Sequence, residues 1–133
     1  MPPFLLGNLS EEITMPAAIE VQHKKWNDVT VLLDTGEFSF ISGYYMGSKT
    51  LNIAMRWNGE GDDPGYPKLF GNPVWFNLPK SMNFFVLRML SSYIELNTPE
   101  NLGYKNVPML KSDYDMYTLR IKEAISITLK QGG

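Results

Sequence analysis

Arg56 and Trp57 stand directly before Asn58-Gly59, three carboxylates follow at Glu60, Asp62 and Asp63, and a further tryptophan lies at Trp75. A guanidinium near acids at this spacing has two uses. It can pair with Asp62 or Asp63 through a charge-assisted hydrogen bond and pin the loop that carries them. Alternatively, it can stay open in a cleft and recognise an anion. On an alternating strand Trp57 shares the face of Ile53 and Met55, so Arg56 points to the other face, where Trp75 or the loop acids are within reach. The candidate ligand-binding set is therefore Arg56, Trp57, Asp62, Asp63 and Trp75, and the structural pairing of Arg56 is the favoured of its two roles.

Other chemistries find less support. Glu60, Asp62 and Asp63 in a glycine-rich stretch suggest calcium, but Leu69 stands at the twelfth position from Asn58, where a bidentate glutamate belongs, so no metal site is expected. Asp62-Asp63 as a general acid and base has no recognisable partner. The chain has no cysteine, which removes disulfides, cysteine-based zinc sites and thiol catalysis. Its one histidine, His23, has no G-x-S-x-G turn to serve. Gly59-Glu60-Gly61 runs into Asp62-Asp63-Pro64, whose charges repel phosphate, so a phosphate-binding loop is not expected either. No catalytic residue and no cofactor are assigned, and whether the chain is an enzyme stays open. Lys24, Lys25 and Trp26 form a cationic and aromatic cluster beside His23. It could stack on a base, but lysines that shield a sheet edge are the favoured reading.

The elements that must position these residues follow from pattern and length. With 133 residues, 44% hydrophobic and 20% charged, the chain suits a single globular domain spanning 1–133. Its net charge of -2 argues against a nucleic-acid partner. No apolar run reaches the roughly 18 residues a membrane span needs, and Met1 to Leu9 lacks the positive start of a signal peptide, which places the chain in the cytoplasm.

Period-two alternation runs through Val29, Val31 and Leu33, then Phe38 to Met46, then Leu51 to Trp57, with one buried face. Asp34-Thr35-Gly36 and Gly47-Ser48-Lys49 leave room only for antiparallel hairpins. An earlier strand is expected over 17–24, a turn at Asn27-Asp28, and a further short strand at Val74 to Leu78. Between them, Asn58 to Pro73 is too rich in glycine and proline for helix or strand, and reads as an ordered loop packed through Tyr66, Leu69 and Phe70, with Trp57 and Trp75 in or beside the core. After Pro79, Met82, Phe85, Val86, Met89, Leu90 and Tyr93 follow helical spacing, with Lys80, Asn83, Arg88 and Glu95 on the polar remainder. A second helix begins at Ser112 or Asp113, with Ser112 and Asp115 resembling a capping box and Tyr114, Tyr117, Ile121, Ala124, Ile125 and Thr128 on one face. Ala124 to Lys130 alternates well enough to suit a strand instead. The fold class is α+β: a twisted antiparallel meander of four or five strands packed against two C-terminal helices.

The stretch IAMRWNG, a Gly/Pro/Asp loop, then GNPVWFNLP resembles a group of small uncharacterised bacterial proteins with an RWNG…GxPxWFxLP pattern. The resemblance rests on Arg56, Trp57, Asn58, Gly59, Gly71, Asn72, Pro73, Trp75, Phe76 and Pro79. Proteins of this look include products of mobile gene cassettes and phage-type islands, so the resemblance implies an architecture and no reaction. The expected function is a small binding or interaction module using an aromatic and Met-rich surface. Because the stripe from Met82 to Ile94 exceeds what one helix normally buries, a homodimer is expected. The alternative is a small-molecule-binding protein or enzyme whose pocket lies between the sheet and the 58–73 loop.

Overall fold

The structure, a computed structural model, describes residues 25–132. The strand expected over 17–24, His23 and Lys24 lie outside the described residues. A four-stranded antiparallel sheet is built in chain order from β1 (Trp26–Asp34), β2 (Phe38–Tyr45) and β3 (Asn52–Trp57), and then β6 (Phe76–Asn77). Two-residue strands β4 (Lys68–Leu69) and β5 (Asn72–Pro73) pair separately in the connection between β3 and β6. A 3-10 turn at Lys80–Met82 leads into α1 (Asn83–Glu95), and α2 (Lys111–Lys130) closes the chain. The α+β meander with two C-terminal helices is therefore the observed architecture. Residues 124–130 are helical, which settles the ambiguity of their pattern.

Register decides what each face of the sheet does. Phe38 pairs with Trp57 and Phe40 with Met55, and Met55 in turn faces Phe76, so these side chains share the face toward the helices. There Phe40, Leu51 and Ile53 bury with Leu87, Leu90 and Ile94 of α1 and Tyr117, Ile121 and Ala124 of α2. On the far face Ile41 opposes Ala54, both fully buried, beside Ser39 and Arg56. The sheet is therefore buried on both faces across its centre, where the alternation predicts only one.

Strict alternation also fails in β1, and for a definable reason. Its register against β2 shifts between Asn27 and Thr30 and again between Val31 and Leu33. At the second bulge Leu32 has no partner, and consecutive Leu32 and Leu33 both enter the core. Arg120 of α2 donates to the Val31 carbonyl at 3.0 Å and so ties the helix to that bulge. The expected turn at Asn27-Asp28 is instead the first bulge, with Asp28 at φ +52°.

In α1 the buried series is Asn83, Leu87, Leu90 and Ile94, about a quarter-turn away from the stripe the sequence suggests. Asn83, expected on the polar side, is buried because its amide donates to the Leu51 carbonyl at 2.8 Å. Gln131 accepts from the Leu51 amide at 2.8 Å, so helix ends hold both backbone groups of that residue. The expected capping box at Ser112 is absent: α2 starts at Lys111 after Leu110, without a side-chain cap, and Asp115 pairs with Lys111.

Tyr117 is the titratable group that this packing perturbs most clearly. Burial raises its phenol to about 12; the carboxylates of Asp34 and Asp113 push the same way, and Arg120 and a hydrogen bond from the Asp34 backbone oppose them. Between an unfolded value of about 10 and the folded value, the unfolded chain releases a proton that the folded chain keeps, so stability falls as pH rises. The slope should approach about 1.4 kcal/mol per pH unit. Denaturant unfolding between about pH 9 and pH 11 should therefore show a steeper loss for the parent than for Tyr117→Phe. Parallel losses would assign the alkaline sensitivity to other groups.

Candidate functional site

Arg56 is 1% exposed, and its guanidinium is spent on backbone carbonyls. One terminal nitrogen donates to the Val74 carbonyl at 2.6 Å and the Pro67 carbonyl at 3.2 Å; the other donates to the Pro64 carbonyl. Burial lowers its pKa, yet an arginine keeps its proton at any physiological pH. The expected partners, Asp62 and Asp63, are not used. Asp62 is exposed; Asp63 turns back on its own loop and accepts from the Gly65 amide at 2.9 Å. The planar fork explains the choice, because parallel donors can hold several points of a curved backbone that one carboxylate could not.

The rest of RWNG closes the same loop. Trp57 and Tyr66 exchange backbone hydrogen bonds of 2.7 and 3.0 Å. Asn58, fully buried, accepts from the Ser39 hydroxyl at 2.6 Å and donates to Asp34 at 3.0 Å. Gly65, at φ +82°, passes so close that a Cβ would lie 2.0 Å from the Trp57 carbonyl oxygen and 2.7 Å from the Arg56 guanidinium. The loop is thus held through its backbone. The apolar side chains expected to pack it, Tyr66, Leu69 and Phe70, face outward, Phe70 being 95% exposed. Arg56, Asn58 and the β3 backbone fix the chain path without these side chains.

The five candidate residues do not converge on one cleft. Trp57 lies on the helix side, half exposed, where it lines an apolar groove of 280 Å³ with Phe38, Phe40, Met55, Met89, Leu90 and Tyr93. Phe38 bridges this groove, its ring 6.0 Å from Trp57 and 6.1 Å from Tyr93. Trp75 lies on the opposite side, in a recess of 420 Å³ between the β1–β2 edge and the β4–β6 segment, together with Trp26, Tyr45 and Lys68. Arg56 lies behind that recess. Glu60 pairs with Lys105, and among the described residues no three His, Cys, Asp or Glu side chains gather into a group able to hold a metal ion.

Two features go beyond what the sequence specifies. The width of the α1 stripe implies a second apolar surface, and the structure shows which residues form it: Phe85 and Met89, with Leu96 at the helix end, are 66, 53 and 83% exposed, beside half-exposed Trp57 and Phe76. The apolar stripe is wide enough for two surfaces, but spacing alone does not say which half is buried. The other is the aromatic lining contributed by Tyr45, which only strand pairing brings opposite Trp26. No helix among the described residues is long and apolar enough to cross a membrane. Compared with known proteins, the chain matches no family model, no curated protein and no solved structure.

Arg56→Ala should lower stability by about 3 kcal/mol or more, because three loop carbonyls lose a charged donor. Phe70→Ala should stay within about 0.5 kcal/mol of the parent, since the ring contacts mainly solvent. Urea unfolding of the two variants checks this. Equal midpoints would mean that the guanidinium does not hold the loop.

Proposed function

We propose that the protein is a small cytoplasmic interaction module that self-associates through the outer face of α1. The observation that carries this reading is the outward stripe of Met82, Phe85, Met89, Tyr93 and Leu96, which runs beside the groove and is continuous with Trp57 and Phe76 across Met55. Monomeric proteins rarely expose an apolar patch of more than a few hundred Å² without a use for it.

A second copy of the chain is the occupant favoured by the charges. Arg88 and Glu95 are both exposed and lie two turns apart on the same flank of the stripe. In a two-fold antiparallel helix pair, one flank meets the same flank of its partner in reversed order. Arg88 then faces Glu95 of the second copy, Glu95 faces Arg88, and Met89 lies near Leu96. The two ion pairs form together and reinforce a single register, while the apolar side chains between them supply the buried area. Among the described residues that line the adjoining groove none is charged, which suits a self-complementary interface better than a strongly charged target.

Sedimentation equilibrium should give a dimer for the parent and a 15.2 kDa monomer for Arg88→Glu. The double exchange Arg88→Glu with Glu95→Arg should restore the dimer, since the pairs re-form with reversed sign. A monomeric parent at micromolar concentration, or a dimer indifferent to all these changes, would remove the proposal.

A further inference from the structure

The recess on the far face is built differently from the groove. Trp26 lies over Gly43, where an added Cβ would come within 3.1 Å of the indole, so a missing side chain makes room for the ring. Trp26 pairs across the strands with Tyr45, their rings 5.0 Å apart and tilted by 49°. Trp75 and Val74 form the facing wall, Leu69 the outer lip, and Lys25 and Lys68 contribute the charged rim. Among the described residues no carboxylate lines it, and neither ammonium pairs with an acid.

The wall opposite Trp26 has a fixed position. Arg56 holds the carbonyls of Pro67 and Val74, the residues that directly precede Lys68 and Trp75. The Val74 amide also donates to the Pro67 carbonyl at 3.2 Å, joining the two strands of the wall. One buried guanidinium thereby sets how far the second lysine and the third aromatic ring stand from the β1–β2 edge. In the protein's acidic overall balance, two lysines with no acid partner among the described residues, beside three aromatic rings, form a local site for a planar anion.

We propose that this recess binds a small aromatic anion of the nucleoside monophosphate class, with its ring against Trp26, Tyr45 and Trp75 and its phosphate between Lys25 and Lys68. The volume of 420 Å³ falls in the lower range of small-molecule pockets, about 300 to 1,000 Å³, and suits one ring system and one charged group. Aromatic side chains stack on any base, and the lysines supply point charges for phosphate. A continuous single strand is disfavoured because the chain carries a net charge of -2 and the recess holds only two lysines, too few for a backbone track. Arg56 acts here as a positioning residue and does not touch the ligand. The inference is independent of the dimer, whose surface lies across the sheet.

Tryptophan fluorescence tests it directly, because in a Trp57→Phe background the two remaining indoles, Trp26 and Trp75, both line the recess. Titration with adenosine 5′-monophosphate should quench their emission saturably. Adenosine without phosphate should bind more weakly, and the double variant Lys25→Ala with Lys68→Ala should lose about tenfold in affinity, as expected for two partly exposed ionic contacts. Both lysines are exposed, so the variant should keep the parent's circular dichroism spectrum. The proposal is overturned by an absence of saturable quenching at millimolar nucleotide, by unchanged affinity in the double lysine variant, or by an oligonucleotide binding far more tightly with a steep salt dependence.

Discussion

The fork of donors on Arg56 is the interaction on which the rest of the structure depends. A sheet of three principal strands with helices on one side still has a second face to cover, and here a loop whose regular structure is limited to the two-residue strands β4 and β5 covers part of it. Such a loop has few amide-to-carbonyl partners of its own, and its carbonyls need donors if they approach the sheet. A single buried guanidinium supplies them at Pro64, Pro67 and Val74, so the chain turns back across β3 and reaches β6 in register. Gly65 permits the close approach, and Asn58 fastens the loop's first turn to Ser39 and Asp34. Replacing the guanidinium with a lysine would keep the charge and lose the geometry, since one ammonium cannot span three separated carbonyls.

That arrangement gives the two sides of the molecule different characters. Toward the helices, apolar side chains from the sheet and α1 leave an apolar groove and an outward stripe, suited to burying area against another apolar surface. On the far side, the same strands carry smaller and polar residues, and the loop encloses a recess with cations at its rim. Alternation along β3 keeps the sides distinct: Trp57 and Arg56 are neighbours in sequence, yet one lines the groove and the other braces the wall of the recess.

Much of this was legible in the sequence, and the failures share a cause. Alternation and short turns located β2 and β3, and helical spacing located α1, because those signals depend on local periodicity. Opposite faces for Arg56 and Trp57 also follow from period two. The partner of Arg56 was not legible: carbonyls leave no trace in residue type, so nearby Asp62 and Asp63 look like the natural acceptors. Phe70 misleads in the opposite sense, as a large apolar residue in a loop suggests packing, whereas the backbone already fixes that loop and the ring stays outside. Asn83 looks like a surface residue until its acceptor, the Leu51 carbonyl 32 positions earlier, is known. The bulge at Leu32 likewise becomes visible only when β1 is set against β2.

Native-state hydrogen exchange on Arg56→Lys is the most direct measurement of the central claim, because it reads the loop separately from the core. The amides of Tyr66 and Val74 are bonded within the segment that the guanidinium holds, whereas those of Leu90 and Ile121 lie in the helices. If the carbonyl fork organises the far face, Tyr66 and Val74 should lose protection through local opening while Leu90 and Ile121 keep more of theirs. Protection that falls equally at all four amides, or that remains unchanged at Tyr66 and Val74, would contradict it.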